Sequence, residues 1–175
     1  MLNYPLCGSV LSTEDRIYKN TIIMDKQKSI EALQFFVTGL SNGAFQHVAQ
    51  SHVFKAQGYT KLGQHFADHA QEEYGWVEKF MDRILDLGGE VKVEARPEAP
   101  VVCEPVQYMN AELERQCKGL ELLRNCMETV KEDVTTYDIL KDYFKDEEQD
   151  LYDDQTEIDL IKKLGEANWL LTKLG

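Results

Sequence analysis

Apolar residues recur at three- and four-residue spacing along four long stretches of the chain, the period of helices that each bury one face. The first stretch, about residues 26–56, carries Ile30, Leu33, Val37, Leu40, Ala44, His47, Ser51 and Phe54 on one stripe. Gln57-Gly58-Tyr59-Thr60 interrupts it, and a second stretch, about 60–87, carries Leu62, Phe66, Val77, Phe80, Ile84 and Leu87 before Gly88-Gly89 stops it. A third, about 106–131, presents Leu113, Cys117, Leu120, Met127 and Val130. The fourth, about 136–164, presents Leu140, Tyr143, Phe144, Glu147, Leu151, Asp154, Ile158 and Ile161. The short break after the first helix makes the first two antiparallel neighbours. Residues 88–105 hold Pro97, Pro100 and Pro105 and show no helical period. At roughly 3.3 Å per extended residue, that segment is long enough to run along the bundle and start the third helix at the opposite end. The predicted architecture is all-α: a four-helix bundle over residues 26–175, with one long crossover and a short amphipathic C-terminal segment suited to docking. Residues 1–25 lack periodicity and read as an N-terminal arm.

Composition narrows the function. The 175 residues are 43% hydrophobic and 29% charged, which suits one globular domain with a real core. A formal net charge of −12 repels nucleic acids and anionic membranes and attracts cations. No apolar run is long enough to span a membrane, and the N-terminus has neither the basic start nor the apolar segment of a secretory signal. Cysteines 7, 103, 117 and 126 show no paired metal or redox spacing and read as reduced thiols, which places the protein in the cytoplasm.

The chemistry lies where the stripes are broken by polar residues. His69 and Glu73, one turn apart, stand on the core face of the second helix, and His47 stands on that of the first. His47 and His69 are each eleven residues from Gly58, so they fall at the same height on facing helices. Glu114, beside Leu113, is expected to face inward from the third helix, and Glu147, with Asp150 and Asp154, from the fourth. Any one of these alone reads as an ordinary satisfied core or rim group. Carboxylates gathered from several helices in a bundle core repel one another unless protons or a cation intervene. Mixed oxygen and nitrogen donors point to a divalent or trivalent metal, iron above others.

His69-Ala-Gln-Glu-Glu73 and the helix end Asp82-Arg-Ile-Leu-Asp-Leu-Gly-Gly89 resemble the second helix of bacterial ferritins and bacterioferritins. Asp146-Glu-Glu-Gln-Asp150, Ile158-Asp-Leu-Ile-Lys-Lys-Leu-Gly165 and Asn168-Trp-Leu170 resemble the fourth, and Glu114 is placed at the third-helix ligand position. The resemblance covers about residues 26–171. It implies a ferritin-like bundle, a homo-oligomeric cage, and storage or detoxification of ferrous iron, with a ferroxidase using O2 or peroxide if the site is active. Glu73, Glu114, Glu147 and Asp150 would then ligate iron, with His47 and His69 as nitrogen donors.

The sequence also departs from the pattern. Where the family has a first-helix Glu and a second-helix Glu-x-x-His, this chain has Leu40 and Trp76. Tyr74 stands at the haem methionine of bacterioferritins, so haem is not expected. Asp68 and Glu72 would face the cage lumen. Three arrangements stay open. The site has moved one to two turns, roughly 5–10 Å, onto His47, His69, Glu73 and Asp154; or it holds a single metal; or the chain is a non-catalytic shell or metal-binding subunit.

Overall fold

The computed structural model describes the backbone of residues 13–175 and the side chains of residues 26–175. Five helices follow in order: α1 Thr13–Ala56, α2 Thr60–Asp86, α3 Pro105–Val130, α4 Val134–Leu164 and α5 Glu166–Thr172. No strand occurs among the described residues. The helix boundaries lie close to those predicted, except at the start. α1 begins at Thr13, so residues 13–25, expected as an arm, continue the first helix. The rest of that arm, residues 1–12, lies outside the described residues.

α1 and α2 form an antiparallel hairpin, and α3 and α4 form a second one packed against it. At the first turn Gly58 has φ +92°, a left-handed conformation that a Cβ would strain, and Tyr59 N–H returns to Phe54 O at 2.9 Å. At the second turn Asp133 caps α4 by accepting from Thr136 N–H at 3.2 Å, and it also receives Arg83 Nη2 at 2.8 Å. Such a cap contributes about 1 kcal/mol.

The segment between α2 and α3 runs parallel to α1, as its length requires. Its backbone has no sheet partner, so where it packs on α1 its polar groups are satisfied by side chains, and elsewhere they face solvent. Two glutamines do this as clamps. Gln34 accepts from Lys92 N–H at 2.8 Å and donates to Lys92 O at 3.0 Å; Gln50 does the same with Val102, at 3.2 and 2.5 Å. Arg96 reaches Ser41 O at 3.1 Å between them.

The interior is two dry clusters with a polar layer between. One cluster contains Leu33, Phe36, Val37, Leu40, Val77, Phe80, Ile84, Leu123, Leu140 and Tyr143. The other contains Phe54, Leu62, Phe66, Tyr108, Met109, Ile158 and Trp169. Burying an aromatic or branched side chain of this kind contributes about 1.5–3 kcal/mol. α5 docks through Trp169, fully buried, which donates its indole N–H to Glu157 at 2.7 Å. Lys61 N–H bonds Lys173 O at 3.1 Å and ties the tail to the α1–α2 turn.

α3 is rotated relative to the sequence reading. Its buried stripe is Met109, Glu112, Gln116, Leu120, Leu123, Met127 and Val130, whereas Leu113 is half-buried and Cys117 exposed. The rotation keeps a strict three- and four-residue rhythm; it buries Glu112, which has partners in the polar layer, and Gln116, which lines the cavity there.

Candidate metal centre

The polar layer is built from α1 and α2 first. Their common turn sets His47 and His69 opposite one another, and the two imidazoles stack with centroids 4.6 Å apart and planes inclined at 26°. Glu73, a turn further along α2, reaches across to His47, with Oε2 2.8 Å from Nδ1. One ligand atom from each of His47, His69 and Glu73 lies within 4.8 Å of the others, and all three residues are buried. Gly43 makes room for this carboxylate: a Cβ there would sit 2.9 Å from Glu73 Oε1. The interior glycine costs α1 about 1 kcal/mol of helix propensity relative to alanine, and the space it leaves is occupied by Glu73.

α3 and α4 close the layer. Glu112 Oε2 lies 3.2 Å from His47 Nε2 in ionic contact, at an angle that leaves Nε2 without a hydrogen bond. The same oxygen is bonded by the Arg115 guanidinium. Asp150 Oδ2 lies 3.2 Å from His69 Nε2. Asp154 is buried, and its Oδ2 has no hydrogen-bond partner. A cavity of about 140 Å³ is lined by His47, Glu73, Glu112, Arg115 and Glu147, with Gly43, Gln116 and Gly119.

Of the six residues that the resemblance implies as ligands, five, His47, His69, Glu73, Glu147 and Asp150, face this layer, as does Asp154. Glu114 does not. Its side chain is 68% exposed and paired with Lys118 at 2.5 Å on the outer face of α3. Glu112 takes the inward position, with a side chain 5% exposed. The motif Ala111-Glu112-Leu113-Glu114 offers both acids, and phasing α3 on Leu113 and Cys117 selected the wrong one. Counting back from Leu120 through Gln116 reaches Glu112 and Met109.

The charges explain how the cluster persists. Burial disfavours the His47 imidazolium, but contacts with Glu112 and Glu73 outweigh it and push the pKa up to about 10. His69 is likewise opposed by burial and raised by Asp150. Glu112 is disfavoured as an anion by burial yet held below the usual carboxylate range by His47 and Arg115. Glu147 is raised to about 8, chiefly by burial and further by the charge of Glu73, against a hydrogen bond from Tyr143. Asp154 is raised to about 7 by burial and by the charge of Glu112. The layer therefore carries bound protons as well as cations.

Leu40 and Trp76 lie about one helical turn from the layer, on the side of the first apolar cluster, and both pack against that cluster. Leu40 belongs to the first apolar cluster and is 8% exposed. Trp76 packs on Tyr143 at 5.3 Å and donates its indole N–H to Asp146. Cys103, Cys117 and Cys126 are free thiols, and none lies in the layer.

Comparison with known proteins agrees with this architecture. The chain is 27% identical over 151 residues to the bacterial ferritin of Neisseria meningitidis serogroup B, covering 85% of this chain and 97% of the relative. It is 27% identical over 145 residues to the bacterioferritin of Streptomyces coelicolor, covering 82% and 87%. The fold superposes on Rhodobacter capsulatus bacterioferritin with a TM-score of 0.81 at 22% identity, over 85% of this chain and 94% of that one. That structure is described with a metal-free dinuclear site and haem iron. The sequence profile of the ferritin-like domain matches residues 30–164, most of the chain, and the protein belongs to the ferritin-like domain family.

Proposed function

We propose that this chain sequesters ferrous iron in a homo-oligomeric, cytoplasmic ferritin-like assembly, through a single intrasubunit metal site on His47, His69 and Glu73. The observation that carries the reading is the convergence of two imidazoles and a carboxylate, one ligand atom of each within 4.8 Å of the others, in a buried layer. The donor set fits a first-row divalent metal, since mixed imidazole and carboxylate ligands suit iron. His47 Nε2 and Asp154 Oδ2 are buried polar atoms without hydrogen-bond partners, and a bound cation or its water would satisfy them. Glu112 and Asp150 supply further oxygens at the rim of the site. Leu40 and Trp76 leave no ligands where a second ion of a paired centre would be held, so the reading is one metal per subunit. Tyr74, at the haem methionine position, keeps haem out of it. Exposed Phe35, Phe45, Leu85 and Val101 supply apolar surface for self-association.

A second reading is favoured by one contact. His47 bridges Glu73 and Glu112 as an imidazolium, the position a metal would take. In that case the chain is a shell subunit with an internal cation in place of iron.

The two separate in a titration with Co²⁺ followed by its visible absorption, with Fe²⁺ oxidation under O2 or peroxide followed in parallel. Metal binding requires neutral His47, so affinity should rise about tenfold per pH unit between pH 6 and 8. Glu112→Ala should weaken Co²⁺ binding about tenfold or more, as loss of an ion-orienting carboxylate does, while Glu114→Ala should change nothing. No Co²⁺ band at any pH would leave the shell reading.

A further inference from the structure

Arg115 belongs to two cavities at once. Outside the polar layer, α1, α3 and the crossover enclose a groove of about 710 Å³, lined by Phe45, Gln50, Glu98, Val101, Tyr108 and Arg115 among others. On its other side is the acidic cavity of about 140 Å³, and Arg115 is part of its wall too. The side chain is 41% exposed, yet its guanidinium is bonded to Glu112, which is almost wholly buried. The atom it holds, Glu112 Oε2, is the one that faces His47. The guanidinium also sits 5.2 Å from the centroid of the Tyr108 ring. Gly43 and Gly119 line the same cavity and add no side-chain bulk to its wall.

A permanent positive charge at this point does two things to an incoming cation. It repels the ion at the cavity wall, and it occupies a carboxylate oxygen that would otherwise be open to the ion. An arginine has the length to leave Glu112 and lie in the groove, where Glu98 offers another carboxylate. We propose that Arg115 is a gating residue: its guanidinium closes the groove-side mouth of the acidic cavity, and divalent cations enter when it swings outward. This rests on the reading of a metal site at His47, His69 and Glu73.

The test is stopped-flow Co²⁺ binding to the full chain, comparing wild type with Arg115→Gln, Arg115→Lys and Glu73→Gln. Arg115→Gln should bind about tenfold faster or more, because the barrier is electrostatic. Arg115→Lys keeps the charge and should stay near the wild-type rate, with circular dichroism showing each variant folded at the temperature of the measurement. Wild-type and Arg115→Gln rates that coincide, or Arg115→Lys as fast as Arg115→Gln, overturn the gate; loss of the signal in Glu73→Gln shows that the signal comes from the metal site, so that such a result counts against the gate alone. If neither wild type nor Arg115→Gln binds Co²⁺, the gate falls together with the metal site.

Discussion

His47→Ala is expected to destabilise the metal-free protein by about 3–5 kcal/mol at neutral pH, the usual cost of leaving buried charges without their partner. His47 is the shared cation of Glu73 and Glu112, and all three are buried. Removing it leaves two buried carboxylates with only Arg115 in direct ion-pair contact and His69 close by, and opens a void between the two apolar clusters. Protonation of one carboxylate would limit the loss. Adding Glu73→Gln to His47→Ala should therefore recover part of it, because one of the uncompensated charges is gone. Urea unfolding of wild type, single and double variants measures this directly. A single variant within about 0.5 kcal/mol of wild type, the range of an ordinary surface substitution, would contradict the shared-cation role. The same substitution removes a nitrogen donor, so Co²⁺ affinity should fall by about a hundredfold, at the upper end of what loss of an orienting group costs.

The second large effect is on stability against pH. His47 has its pKa raised to about 10, so its contribution is complete below the unfolded value near 6.5 and is lost as pH rises toward 10. Glu147 and Asp154, raised to about 8 and about 7, are acids whose neutral forms the fold prefers; their contribution is lost as pH climbs through those values. Glu112, Asp133 and Glu157 are lowered, so theirs is lost on acidification instead. The two sets place the stability maximum of the metal-free protein near pH 5–6, with a fall on the order of 2–4 kcal/mol by pH 8. A divalent cation prefers the deprotonated groups, so the stabilisation it adds should grow over the same range. Urea midpoints at three pH values, with chelator and with Co²⁺, test both halves. A metal-free maximum at pH 8, or a metal increment that does not change with pH, would contradict the proton-laden layer.

Much of this was legible in the chain because one rule, burial at helical spacing, governs most of it. The equal distances of His47 and His69 from Gly58 place the two residues at the same height on facing helices, since a short turn leaves little freedom in register; that their rings stack is a feature of the tertiary structure. The departure at Leu40 and Trp76 was legible only through the resemblance to bacterial ferritins, which supplies the ligand positions the two residues fill. Glu112 was not legible because α3 buries Glu112 and Gln116. A search for apolar stripes preferred Leu113 and Cys117, and the contacts with His47 and Arg115 that make the polar phase favourable come from tertiary structure. The buried glutamines Gln34 and Gln50 escaped for the same reason: their partners are backbone groups of the crossover, more than fifty residues away. Residues 13–25 read as an arm because they lack an apolar stripe, yet they extend a helix already nucleated by packing further along α1.

The most direct measurement is anomalous scattering from crystals soaked in Fe²⁺ or Co²⁺. One strong peak per subunit is expected in the polar layer, within about 2.0–2.2 Å of a nitrogen of His47, a nitrogen of His69 and an oxygen of Glu73, the usual bond lengths for a divalent ion with such donors. Peaks confined to the exposed acids of α2 and α4, with His47 still bridging Glu73 and Glu112, would contradict it.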